Sequence, residues 1–176
     1  MGLVYGKTKF QTADMIAVRS RGPVAWGIRW ITDLRNSWAG AWVANHIAFV
    51  VRRSNGLCFV YESLGSRGVV TTPLVAWLRK HKDIRIYRPP HLTNAGKKAF
   101  KATAEKYEGR KYEHPLDFLK IIFGKNTAGD RRLFCSEYYA RCAYEAAALR
   151  VVGNNFANIT PDYLTDLAER LWERVQ

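Results

Sequence analysis

Three residues that stand far apart in the chain have the chemistry for nucleophilic catalysis: Cys135, His46 and Glu62. Cys135 closes the apolar run Leu133-Phe134-Cys135 and opens residues 136–150, which are rich in Ala, Glu, Arg and Leu, lack Gly and Pro, and repeat Tyr138, Cys142 and Leu149 at helical spacing. The thiol is therefore expected in or beside the first turn of a helix. N–H groups without an intrahelical acceptor and the positive end of the macrodipole favour an anion there, which lowers the pKa of a thiol. The same first-turn N–H groups, around Ser136, can serve an oxyanion. The competing reading is structural: a lone Cys beside Phe134 is also a small buried hydrophobe, and it becomes a candidate nucleophile only when a His is brought to it.

His46 and Glu62 lie on two apolar runs, Asn45-His46-Ile47-Ala48-Phe49-Val50-Val51-Arg52-Arg53 and Leu57-Cys58-Phe59-Val60-Tyr61-Glu62-Ser63, joined by Ser54-Asn55-Gly56. This is a β-hairpin pattern, and its register decides the chemistry because side chains alternate between faces. A three-residue loop with Gly56 left-handed pairs Arg53 with Leu57 and puts His46 and Glu62 on one face; a two-residue Asn55-Gly56 turn separates them. The three-residue loop is favoured, since Gly suits its bulge position. An acid within reach of the imidazole orients it and stabilises its cation. A His at the start of an apolar strand is otherwise structural or an exposed edge residue.

The elements that must position these groups are readable in outline. Residues 14–19 predict a short strand entered through Asp14, and Gly22-Pro23 breaks the chain before a helix over 24–38, whose Trp26, Trp30 and Trp38 suit core or groove lining. A strand is expected at Gly68-Val69-Val70-Thr71, then a brief helix with Thr72 as cap and Pro73 in its first turn. Residues 83–88 alternate and stop at Pro89-Pro90. Thr93 caps a helix over 94–107 that ends before Gly109. A loop over 109–115, a short helix over 116–123 and a polar glycine-bearing connection over 124–132 lead to Cys135. The cysteine helix is expected to run to Val151-Val152-Gly153. Thr160 and Pro161-Asp162 open a last helix reaching residue 174. His81, His91 and His114 are assigned to surface loops, Cys142 and Cys58 to packing.

At 176 residues, with 48% hydrophobic and 13% aromatic content, the chain suits one domain over 1–176, with 1–11 as a polar lead segment. The net charge of +13 makes nucleic acid, anionic lipid or an acidic cell-wall polymer electrostatically compatible partners. The basic residues come as scattered pairs such as Arg52-Arg53 and Arg131-Arg132, the pattern of a solvated surface, so nucleic acid is not the favoured partner. Three cysteines without metal-ligand spacing indicate neither a disulfide framework nor a zinc site, and fit a reducing compartment. Residues 1–10 lack the apolar core of a signal peptide, and no apolar run has the length to cross a membrane. A cytoplasmic protein is expected; a virus-encoded protein released by another route would escape this restriction.

Taken in order, several stretches resemble the YiiX/YebB-like group of NlpC-type cysteine hydrolases. Thr12-Ala13-Asp14-Met15-Ile16 is similar to the family's opening "GDI" strand, with Ala13 where Gly is usual. Asn45-His46-Ile47-Ala48-Phe49-Val50 is similar to its histidine strand, Tyr61-Glu62-Ser63 with Gly68-Val69 to its "E…GV" segment, and Ile86-Tyr87-Arg88 through Tyr112 to its "vyR…G..YD" region. Phe134-Cys135-Ser136-Glu137 resembles "fCSElv", and Ile159-Thr160-Pro161-Asp162 resembles "iTPaDL". No motif is specific alone; their order and spacing jointly are. The resemblance implies an α+β, circularly permuted papain-like fold, an antiparallel sheet packed against helices of which one carries the cysteine.

It further implies Cys135 as nucleophile, His46 as general base and Glu62 as the group orienting it, with Tyr112 and Ser136 lining the site or stabilising an oxyanion. Glu113 stands where the family has Asp. These roles describe a thiol hydrolase working through an acyl-enzyme without metal or organic cofactor. An amide is the expected substrate, peptide or peptidoglycan-like, and the basic surface suits an anionic one. A thioesterase or acyltransferase on lipid-like acyl groups is the alternative within the enzymes. A non-enzymatic polyanion-binding protein on the same scaffold is the alternative outside them.

Overall fold

Strand alternation decides which side chains meet in this protein. The computed structural model describes residues 4–5, 8–20, 44–65, 67–111, 133–149, 156 and 159–175. The short strands β1 (Val4–Tyr5) and β2 (Thr8–Lys9) pair with each other. Strands β3 (Met15–Val18), β4 (His46–Arg52), β5 (Cys58–Leu64), β6 (Gly68–Pro73), β7 (Ile84–Arg88) and β8 (Glu173–Arg174) form a six-stranded antiparallel sheet in the order β6-β5-β4-β3-β7-β8. The described helices are α1 (Leu74–Lys80), α2 (Asn94–Lys106), α3 (Cys135–Glu145) and α4 (Pro161–Leu171). The architecture is α+β.

Both faces of the sheet are covered, which is why β3 is apolar at every position. One face presents Met15, Ala17, Ile47, Phe49, Val51, Tyr61 and Tyr87 to α2, α3 and α4; the other presents Ile16, Val18, Ala48, Val50, Val60 and Ile86 to α1 and Phe10. Phe49 centres the first core, meeting Tyr61, Phe100, Tyr138 and Tyr139 at ring-centroid separations of 6.0, 5.2, 4.8 and 5.7 Å. The burial of Phe10 makes the end of the lead segment part of the fold.

The β4–β5 hairpin adopts the three-residue loop. Arg53 N–H donates to Leu57 O at 2.9 Å, and Gly56 holds φ +81°. Near the same loop, at the start of β3, the sheet is fastened by a bulge. Ala13 N–H donates to Val50 O while Val50 N–H donates to Asp14 O, each at 2.9 Å, so two residues oppose one. Ala13 holds φ +75° there, a conformation that favours glycine. Buried Asp14 receives Arg88 of β7 at 2.8 and 2.9 Å and Gln11 N–H at 2.8 Å.

Three expectations are corrected and one is refined. The cysteine helix stops at Glu145, not at residue 150, because Ala147 turns left-handed at φ +55° and Ala148 N–H donates back to Ala143 O at 2.8 Å, with Ala147 N–H to Tyr144 O at 2.9 Å. This is a Schellman end with Ala in the place usually held by Gly. Thr72 does not cap α1; it pairs with Val60 in the ladder, and Pro73 precedes the helix instead. Thr160 occupies the cap position of α4 without a side-chain hydrogen bond to the helix. The last helix ends at Leu171, and Glu173–Arg174 joins β7 as β8. Thr93 does cap α2, accepting from Gly96 N–H at 3.0 Å. The helices expected over 24–38 and 116–123, the tryptophans Trp26, Trp30 and Trp38, and His114 lie outside the described residues.

Candidate functional site

His46 is the first residue of β4, and its side chain shares the face of Ala48 and Val50. Ala48 pairs directly with Glu62, so His46 and Glu62 are diagonal neighbours on one face of the hairpin, within reach across adjacent strands. His46 Nε2 and Glu62 Oε2 are 2.9 Å apart, with side chains 15% and 5% exposed. The second carboxylate oxygen of Glu62, Oε1, accepts the indole N–H of Trp77 from α1 at 2.9 Å.

Cys135 arrives from the opposite layer. Helix α3 packs on the face of Ile47 and Phe49, and the cysteine reaches His46 because it is the helix's first residue and stands at the end of the sheet. Two bonds fix this approach: Ser63 Oγ–H donates to Leu133 O at 2.7 Å, and Ser136 Oγ–H donates to Ile159 O at 2.5 Å. The loop before it is tied to β6, where Val69 N–H donates to Arg110 O at 2.7 Å and Leu133 N–H donates to Lys111 O at 3.3 Å. Gly68, at φ +72°, makes this possible, since a Cβ there would stand 2.1 Å from Arg110 O. The β4–β5 ladder runs only as far as Ala48 and Glu62, and beyond it the backbone N–H of Ile47 turns to the sulfur.

The Cys135 thiol and the His46 imidazole face each other closely enough that each shifts the pKa of the other through charge and hydrogen bonding. Nε2 faces Glu62, which leaves Nδ1 for the sulfur. Burial alone would raise the thiol; the charge of His46, its hydrogen bond and the N–H groups of Ile47 and Ser136 hold it below the ordinary thiol range instead. Burial would likewise depress the imidazole, yet the Cys135 charge and the hydrogen bonds to Cys135 and Glu62 push it up to about 10. Burial would also raise the Glu62 carboxyl, which His46 and Trp77 hold below its usual range. All three shifts run in the direction that favours a thiolate beside an imidazolium, with a carboxylate next to the ring.

No family model and no curated protein matches the sequence. The structure brings together Cys135, His46, Glu62 and the backbone of Ser136; Tyr112 lies outside the described residues. Of the other histidines, His91 is exposed, whereas His81, expected on a surface loop, stacks on Trp77 at 4.0 Å and is half-buried. Sequence reasoning missed Trp77, whose one signal was its place on a short apolar helix after the hairpin. A cavity of about 180 Å³ lined by Gln11, Arg88, His91 and Lys97 lies at the far end of the sheet and takes no part. Among the described residues no group of three or more His, Cys, Asp or Glu gathers for a metal ion, and no helix is long and apolar enough to cross a membrane.

Proposed function

We propose that this protein is a thiol hydrolase that cleaves an amide bond, peptide or peptidoglycan-like, through Cys135, His46 and Glu62. The observation that carries the reading is the meeting of the Cys135 thiol with an imidazole whose Nε2 stands 2.9 Å from a buried carboxylate, so that thiol and ring shift each other's pKa. A buried structural cysteine has no need of such a partner, and burial without it raises the pKa.

The chemistry follows from the placement. The Cys135 thiolate attacks the carbonyl carbon, forming a C–S bond as the carbonyl electron pair moves to oxygen. Backbone N–H groups in the first turn of α3 are suited to that oxyanion. As the C–N bond breaks, the His46 imidazolium gives its Nδ1 proton to the departing amine. Neutral His46 then takes a proton from water, the hydroxide adds to the thioester, and the C–S bond breaks to restore the thiolate and release the acid. Glu62 keeps the imidazole aligned throughout. The order of histidine strand before cysteine helix supports a circularly permuted papain-like arrangement, and the basic surface suits an anionic substrate.

The test is iodoacetamide alkylation followed by mass spectrometry across pH, in the native protein and in His46→Ala, with Cys58 and Cys142 as internal controls. Cys135 should react fastest at and below neutral pH and slow when His46 is removed. A Cys135 as inert as the other two would sink the hydrolase reading and favour a polyanion-binding protein, to be sought through salt-dependent binding.

A further inference from the structure

Glu62 is held from two sides. His46 Nε2 stands 2.9 Å from Oε2, and the indole N–H of Trp77 donates to Oε1 over 2.9 Å. Trp77 is buried, packed with Leu74 and Leu78 of α1 against the face of the sheet that carries His46, and His81 stacks on its outer side. An indole nitrogen can only donate, and it has one hydrogen. The group facing it must therefore be an acceptor. An ionised carboxylate presents acceptors on both oxygens, so Oε2 remains an acceptor toward His46 and Nε2 must carry a hydrogen. Nδ1 is then the nitrogen free to exchange a proton with sulfur.

We propose that Trp77 is a positioning residue for the Glu62–His46 pair: by claiming an acceptor at Oε1 it orients Glu62 and favours its ionised form, so that Oε2 accepts from Nε2–H, and it makes the site work with a carboxylate and fail with an amide. This inference rests on the hydrolytic reading of Cys135, His46 and Glu62. Its consequence is specific. In Glu62→Gln the indole N–H captures the amide oxygen and turns the amide NH2 toward His46. Nε2 must then accept, the hydrogen moves to Nδ1, and the imidazole presents a donor where the thiol needs a base. An amide replacing the acid of a hydrolytic triad by this route costs on the order of 10⁴ in rate. Removing the indole donor frees the amide to rotate, so that its oxygen again accepts from Nε2–H. Trp77→Phe therefore harms the protein that keeps Glu62 and relieves the Glu62→Gln variant, a reversal of sign that packing cannot produce.

The experiment is a four-member cycle of native protein, Trp77→Phe, Glu62→Gln and the double variant, read as the rate of Cys135 alkylation across pH. The other titratable groups near Trp77 and Glu62 are His81 and Lys80, so both stay unchanged throughout. Trp77→Phe should slow Cys135 at neutral pH by roughly threefold to tenfold, and Glu62→Gln by more than about tenfold. The double variant should react faster than Glu62→Gln alone. Equal slowing by Trp77→Phe in both backgrounds would overturn the proposal. A second readout avoids substituting the tryptophan: nitrogen-15 NMR of His46 in Glu62→Gln should show the hydrogen on Nδ1 in the neutral ring, and a hydrogen retained on Nε2 would overturn it. If native Cys135 proved unreactive while the NMR tautomer reversed as stated, the hydrolase reading would fail and the role of Trp77 would stand.

Discussion

Cys135 and Cys142 are two buried thiols on one helix, about two turns apart, and they are driven in opposite directions. Burial pushes Cys142 well above the ordinary thiol range, as it raises Cys58 on β5. Cys135 is buried as well, and is held below that range by His46 and by the N–H groups of Ile47 and Ser136. Burial does not distinguish them. Cys142 lies in a core of aromatic and aliphatic groups, where burial outweighs a single backbone hydrogen bond; Cys135 sits at the end of the sheet, where strand ladder and helix both begin and their backbone donors are still available. On this helix the thiol pKa falls where regular structure starts.

The contrast should break most severely when the packing of the core that buries Cys142 is opened. Phe49→Ala removes the ring around which Tyr61, Phe100, Tyr138 and Tyr139 gather, at a cost of about 3–5 kcal/mol in urea unfolding. Cys142 should then become open to alkylation in the native buffer. Unchanged protection of Cys142 in a destabilised protein would show that its inertness does not depend on this cluster. His46→Ala acts on the other thiol alone: it should slow Cys135 alkylation at pH 7 by about 100-fold, because without the imidazolium the buried thiol returns to or above its ordinary range. Cys142 should keep its rate.

The pH dependence sharpens the contrast. The Cys135 pKa is lowered, so its thiolate persists below the range where an ordinary thiol protonates and is lost only as pH falls through that lowered value. The His46 pKa is raised to about 10, so the imidazolium persists until pH rises through about 10. Acyl transfer needs both, and its rate should form a plateau between these limits, its alkaline limb near 10. Alkylation needs only the thiolate and should not fall on that limb. A shared decline would mean unfolding instead of loss of the imidazolium. The smallest effect expected is that of Cys142→Ala, about 1 kcal/mol of stability for the lost sulfur contacts, with Cys135 alkylation unchanged. A slower Cys135 in that variant would show that the two thiols are not independent.

Much of the site was legible because its determinants are local. Ser54-Asn55-Gly56 fixes a three-residue loop through a left-handed glycine, the loop fixes the register, and the register puts His46 and Glu62 on one face. The placement of Cys135 in the first turn of α3 followed equally from the composition after it. The length of that helix did not. Its end depends on Ala147 adopting a left-handed conformation that Gly normally marks, stabilised by bonds from Ala147 and Ala148 back into the last turn. Thr72 departs from expectation for a related reason: a good cap residue is also a good strand residue, and pairing with Val60 prevailed. Strand β8 and Trp77 had no local signature, since each acquires its role from a partner far along the chain.

The sequence by itself determined the alternation of the strands, the hairpin register and the start of the cysteine helix, because turn geometry and side-chain period act over a few residues. Only the tertiary structure decided that Cys135 meets His46 although α3 and the His46 side chain belong to opposite faces of the sheet, that the ladder opens at Ile47 so that its N–H reaches the sulfur, and that Trp77 takes the second oxygen of Glu62. Those contacts depend on where layers end and how they are stacked, and no short stretch of chain carries that information.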